Sequence, residues 1–303
     1  MDSGLALSYG YKLVNVFAER PFAGKRVAVF TDATGLADEQ MAAIARELSL
    51  PQCSFVFPSS DPQAHAKIRV FTPTRELPRA GLPTIATVFA LDLQQKGSRP
   101  PAAQRRIVLE ERDGPVSVAV FAPLLTVKQD LPVFGRQYPE PEAVAAMLSL
   151  RREHFLDDAP LQAVSSGVPY LIVALKNRQT LESIAFRRSI WERTLQRFEA
   201  PNLLAFSVQT SRKDTRLKIR VFSPEDTEDE EPASESACGP VVGYAVRHGL
   251  LDLPPAASLA IEQGTELGRP SILHVSLAHA NGALTELRVG GQCRVVGEGV
   301  VHV

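Results

Sequence analysis

Short runs with apolar residues at alternate positions, divided by Gly, Pro and Ser turns, set the pattern of the chain. Leu13-Val14-Asn15-Val16-Phe17 and Arg26-Val27-Ala28-Val29-Phe30 predict two strands around a turn at Pro21 and Gly24. A helical spacing follows, with Met41, Ile44, Ala45 and Leu48 on one face, Asp38 as its expected cap, and an end before Pro51. Cys53-Ser54-Phe55-Val56-Phe57 and residues 67–72 predict strands, a helix is expected from near Pro83 through Leu91, and strands follow at 106–111 and 115–121. The second half predicts strands at 168–175 and 204–208 with a helix over 190–198 between them. A strand at 218–223 and a helix from Pro240 to about His248 come next. Strands near 258–262, 271–277, 284–289 and 294–301 close the series.

One of these strands occurs twice. Lys67-Ile68-Arg69-Val70-Phe71-Thr72-Pro73 returns half a chain later as Lys218-Ile219-Arg220-Val221-Phe222-Ser223-Pro224. A seven-residue match with one Thr/Ser exchange indicates internal duplication. Each copy ends at Pro, which has no N–H to continue a ladder, and leads through a polar loop to a small-residue helix start. Strand-rich halves with one long helix each predict an α+β class, built as two mostly antiparallel half-barrels around central helices. The expected domains are 1–121, joined by the C-terminal strand 294–303, and 122–293; the Pro-rich stretch 122–165 is read as the crossover.

Composition narrows the function classes. The 303 residues are 45% hydrophobic and 22% charged, as in soluble globular proteins of about two domains. A net charge of −1 gives no basic face for nucleic acid or anionic membrane. No apolar run approaches the roughly 20 residues of a transmembrane helix, and Met1-Asp2-Ser3-Gly4 lacks a signal-peptide n-region, so the cytoplasm is the expected compartment. Three widely spaced cysteines argue against a disulfide scaffold and a structural zinc site, and no metal is expected.

The chemistry gathers at the two duplicated corners. Pro83 and Pro240 stand where a helix's first turn tolerates a missing N–H, and Gly81 and Gly239 allow close backbone approach. Helix starts of this kind suit an anion, so a small carboxylate held between the two corners is expected. Phe71-Thr72-Pro73-Thr74-Arg75-Glu76-Leu77-Pro78-Arg79-Ala80-Gly81-Leu82-Pro83-Thr84 and Glu230-Glu231-Pro232-Ala233-Ser234-Glu235-Ser236-Ala237-Cys238-Gly239-Pro240 resemble the signatures of the phenazine-biosynthesis PhzF-like family. Gln263-Gly264-Thr265-Glu266-Leu267-Gly268-Arg269-Pro270-Ser271 and the opening Phe17–Phe30 resemble two further segments of that family. The resemblance implies a diaminopimelate epimerase-like fold, a cleft between two half-barrels, no metal or organic cofactor, and often a homodimer. It also implies cofactor-independent isomerisation of a small carboxylate, in some members within antibiotic pathways.

The departures from that pattern direct the site reading. Gln52 stands where the family has its acid/base glutamate, Leu82 replaces the signature histidine, Glu231 replaces an aspartate, and Glu235 replaces a loop glycine. Neither Gln52 nor Leu82 can exchange a proton near neutral pH. Proton chemistry therefore falls to Glu231, to Cys53 at the helix-to-strand corner, and to Cys238, whose thiol a helix N-terminus would lower. Glu235-Ser236-Ala237-Cys238-Gly239 also resembles the segment around one catalytic cysteine of diaminopimelate epimerases. Gln52, Gly81, Leu82, Ser236 and Ala237 are the expected substrate-binding residues. The favoured expectation is an isomerase acting by double-bond migration or tautomerisation. A hydrolase of a C–C or activated bond and a non-catalytic carboxylate binder are the alternatives.

Overall fold

The computed structural model describes residues 7–79, 81–95, 105–225 and 229–303. Met1–Gly4, Ala80 of the first signature, and residues 226–228 of the acidic loop lie outside the described residues. In chain order the elements are β1 (Ser8–Val16), β2 (Lys25–Phe30), α1 (Asp38–Leu48), β3 (Cys53–Phe57), β4 (Ala66–Phe71), β5 (Glu76–Leu77), α2 (Gly81–Gln95), β6 (Arg105–Glu111) and β7 (Gly114–Phe121). Then come β8 (Leu124–Lys128), β9 (Val133–Gln137), α3 (Pro141–Met147), β10 (Gln162–Ser165), β11 (Pro169–Ala174), α4 (Arg178–Glu182), α5 (Arg188–Thr194), β12 (Asn202–Ser207) and β13 (Leu217–Phe222). The chain ends with β14 (Glu230–Glu231), α6 (Cys238–Arg247), β15 (Ala256–Gln263), β16 (Ser271–Ala280), β17 (Ala283–Gly291) and β18 (Cys293–His302). The class is α+β, as the alternating runs predict. Among the described residues no helix is long and apolar enough to cross a membrane.

Two compact units form, one of residues 1–127 and 290–303, the other of residues 128–289. In the first, β1 pairs antiparallel with β2, β2 parallel with β3, and β3 antiparallel with β4; β4 then pairs antiparallel with β5 and parallel with β6, which pairs antiparallel with β7. The second repeats this series of senses through β10, β11, β12, β13, β14, β15 and β16. The first unit takes its last strand from the end of the chain: β18 lies antiparallel beside β1 from Ser8–His302 to Val16–Cys293. Helix α2 packs on β1, β2, β3 and β7, and α6 packs on β10 and β11. Every residue of α6 from Cys238 to Val246 is buried, as befits a central helix with no charged face.

The duplication reaches side-chain detail. Arg69 of β4 donates from Nε and Nη2 to the two Glu76 carboxylate oxygens at 2.7 and 2.9 Å. Arg220 of β13 does the same to Glu230 at 2.7 and 2.6 Å. Each guanidinium also lies 5.2 Å from the ring centroid of the phenylalanine two residues on, Phe71 and Phe222. The repeated Arg-x-Phe thus pins each polar loop to its strand through a bidentate ion pair stacked on an aromatic face.

Several expectations shift. Asp38 does not cap α1. Ala37 holds that position, its N–H donating to the Gln40 side chain at 2.8 Å, while Arg69 draws the Asp38 carboxylate. Helices α2 and α6 begin two residues before Pro83 and Pro240, which become third residues; the first turn's N–H groups lack intrahelical partners, so proline fits there too. The predicted helix 190–198 is the shorter α5. The crossover 122–165 is structured, with Pro141 opening α3 and Val144, Ala145 and Met147 feeding a core around Trp191 and Phe155.

Candidate functional site

The second unit carries the richer corner. Strand β13 ends at Phe222, and the chain returns to lay Glu231 beside Val221 in β14. Ser223 then donates its hydroxyl to Glu231 Oε1 at 2.8 Å, fixing one oxygen of the carboxylate. The loop that follows is held from behind by β15. Gln263 Nε2 donates to the Glu231 carbonyl at 2.8 Å, and the Ser234 N–H donates to Gln263 Oε1 at 2.9 Å. Ser271 donates to the Pro232 carbonyl at 2.7 Å. Gly264, at φ +76°, passes so close that a Cβ there would sit 2.3 Å from the Pro232 oxygen and 2.5 Å from the Arg269 oxygen. The Gln-Gly…Arg-Pro-Ser segment is therefore a clamp on the loop that presents Glu231.

Beyond Ser234 the chain tightens into a 3-10 turn, Glu235–Ala237, and runs into α6 at Cys238. Gln129 ties this turn down, donating to the Glu235 carbonyl and carboxylate at 2.8 and 3.0 Å. Three hydroxyls meet in front of it. Tyr170 Oη lies 2.7 Å from Ser236 Oγ and 3.1 Å from Ser234 Oγ, and the two serines are 3.2 Å apart. Burial pushes the Tyr170 phenol well above its ordinary value, and the Glu231 charge pushes it further. Ser166 adds a buried hydroxyl with no partner among the described residues, close to Gly239: a Cβ on that glycine would lie 2.6 Å from Ser166 Oγ.

The first unit's corner is built on the same plan with different chemistry. Gln52 immediately precedes β3 and its carbonyl accepts from the Ala28 N–H at 3.2 Å. Two residues on, Ser54 Oγ lies 2.7 Å from Thr87 Oγ1 of α2, so this face of the strand is turned to the helix. Gln52 Oε1 is buried, with no hydrogen-bond partner among the described residues. Leu82 is buried in the first turn of α2, directly after Gly81. Leu77 takes the strand position that Glu231 takes in the second unit, so this corner presents no carboxylate there.

Both cysteines that the sequence offers for proton chemistry are sealed in the interior. Cys53 is wholly buried among Ala28, Phe30, Met41, Phe55 and Phe71, and burial pushes its thiol from 9.0 up to about 12. Cys238 is also wholly buried; its thiol donates to the Ser234 carbonyl at 3.8 Å, and desolvation, then the Glu235 charge, raises it well above 9.0. The helix start does not lower it, because loss of water outweighs the dipole. Burial favours the neutral thiol at both positions near neutral pH. Glu231, Ser236, Ala237 and Cys238 lie along one loop and helix start of the second unit, and in the first Gln52 precedes the β3 strand that packs on α2, the helix opened by Gly81 and Leu82. Tyr170, Ser223, Ser234, Gln263 and Ser166 are additional residues of the second corner. Gln263 lay inside a recognisable motif; Tyr170 lay in a strand whose pattern signals only core. Among the described residues no three His, Cys, Asp or Glu side chains converge as a metal site.

Known proteins resemble this chain over its full length. An uncharacterised isomerase of Mesorhizobium japonicum is 31% identical over 97% of this chain and 98% of its own. A trans-2,3-dihydro-3-hydroxyanthranilate isomerase of Pseudomonas aeruginosa is 29% identical over 97% and 99%. The crystal structure of a PhzF-family phenazine biosynthesis protein from Bacillus anthracis superposes with a TM-score of 0.86 at 22% identity, covering 98% of this chain and 100% of that one. The family profile described as phenazine biosynthesis-like protein matches residues 14–299, and the chain belongs to that PhzF family.

Proposed function

We propose that this isomerase moves a proton between two carbons of a small carboxylate-bearing metabolite, by double-bond migration or tautomerisation, with Glu231 as its single acid/base. The observation that carries this reading is the setting of Glu231: a carboxylate oriented by Ser223 on a loop clamped by Gln263, beside the Tyr170–Ser234–Ser236 hydroxyls. A base held in place by hydrogen bonds to its neighbours takes a proton without first reorganising. A 1,3-shift needs one such group, which removes the proton and returns it further along. Epimerisation by two bases needs a second proton carrier, and Gln52, Leu82 and the buried Cys53 supply none.

In this reading Ser236 and the backbone of Ala237 receive the substrate carboxylate. A role in secondary-metabolite biosynthesis, a cytoplasmic location and a homodimer belong to the same proposal.

The test is deuterium uptake in D₂O, followed by mass spectrometry, over a panel of unsaturated carboxylates. The panel includes trans-2,3-dihydro-3-hydroxyanthranilate, on which the Pseudomonas relative is named as acting. Uptake with one panel member, reduced about 100-fold or more in Glu231→Gln, is the expected result. Products heavier by water would replace this reading with hydrolysis, and tight binding without uptake would replace it with a non-catalytic binder.

A further inference from the structure

We propose that Tyr170 is a positioning residue that turns the Ser236 hydroxyl outward as a dedicated donor to the substrate's carboxylate. This rests on the reading that Ser236 receives that carboxylate. The argument is a count of protons and lone pairs. Tyr170 is buried in the strand β11, and its phenol reaches two partners, Ser236 Oγ at 2.7 Å and Ser234 Oγ at 3.1 Å. Ser234 is buried too, 3.2 Å from Ser236, whereas Ser236 is half-buried and is the member of the three with access outward. A serine oxygen has two lone pairs and one proton. When Tyr170 and Ser234 both donate to Ser236, its lone pairs are filled and its proton points away from the cluster. Ser236 is then a donor and not an acceptor, which suits an anion.

The alternative is a closed ring in which each hydroxyl donates to the next. That ring would leave Ser236 only a lone pair to offer, and a carboxylate would be repelled. A bound carboxylate selects between the two, because it accepts the Ser236 proton and opens the ring, and two features suit the phenol to be the donor behind it. The Tyr170–Ser236 contact is the shortest of the three, and a phenol is the stronger acid and so the better donor of the pair. The phenol also stays protonated, since burial and the neighbouring Glu231 both oppose its ionisation. Charge then strengthens the chain of donors, because a carboxylate bound to Ser236 polarises both hydroxyls behind it.

The experiment measures calorimetric binding of benzoate and itaconate, with benzamide as the neutral counterpart of benzoate, to the full-length protein and to Tyr170→Phe, Ser236→Ala and the double variant. Tyr170→Phe keeps the ring and the packing. It is expected to weaken the carboxylates about tenfold while changing benzamide by less than about twofold. Ser236→Ala is expected to weaken the carboxylates at least as much, and adding Tyr170→Phe to it is expected to change nothing further. Equal losses for benzoate and benzamide, or additive losses in the double variant, would overturn the role assigned to Tyr170. Failure of the wild-type protein to bind either carboxylate would overturn the carboxylate reading of Ser236, and this inference with it.

Discussion

Glu231 and the two cysteines show how differently single positions read before and after folding. All three stand in recognisable segments, yet only Glu231 keeps a polar setting; the thiols are sealed into cores that their neighbours' apolar pattern announces only in hindsight. Native protein treated with iodoacetamide at pH 8 is expected to stay unlabelled at Cys53 and Cys238 and to label fully once unfolded, as intact-mass analysis would read. The same burial has a pH signature. The folded Cys53 thiol ionises near 12 and its ordinary value is 9.0. The unfolded chain therefore loses that proton first, and stability is fully present below pH 9 and falls as pH rises from there toward 12. Denaturation curves at pH 8 and pH 10.5 test this, with Cys53→Ala expected to shrink the difference while the buried Cys238 and Cys293 keep their own share. Gln52 and Leu82 were legible as departures, because a motif fixes their positions. Tyr170 was not, since a tyrosine in an apolar strand looks like any other core aromatic until its hydroxyl finds partners.

Among the elements, the repeated strand was the most legible feature and also explains itself best. Its Arg-x-Phe pattern makes the same ion pair and the same stacking in β4 and β13, so the likeness at sequence level is a likeness of loop anchoring. What escaped the sequence is the clamp on the second loop, because Gln263, Gly264 and Ser271 come from the end of β15, the turn after it and the start of β16, some way downstream. Gly264→Ala is expected to destabilise the protein by more than about 1 kcal/mol, as urea unfolding would measure. Its positive φ disfavours a Cβ, and the Pro232 and Arg269 carbonyls leave no room for one. Activity should fall with it, since the displaced loop is the one that carries Glu231. Helix ends were the least legible. Proline marked α2 and α6 correctly but two residues late, and the short α3 and α4 were missed because each offers too few turns to show a period.

For the chain taken together, the repetition of the first half by the second was legible in outline, while the parallel pairings within each half were not. Unit boundaries at 127/128 and 289/290 fall where β8 and β17 run through, places with no break in composition to announce them. Deleting residues 293–303 is expected to cost the first unit its hydrogen-exchange protection along β1, while β11–β13 of the second stay protected, as mass-resolved exchange would show. The pairing of β1 with β18 also sets an order of events during synthesis. Residues 128–289 are contiguous, so the second unit has everything it needs as soon as it leaves the ribosome. The first unit does not: β1 is made early but must keep one edge unpaired until β18 has been translated. An open strand edge of that kind is a site for wrong pairing, so the first-made part of this protein is the part most in need of a chaperone.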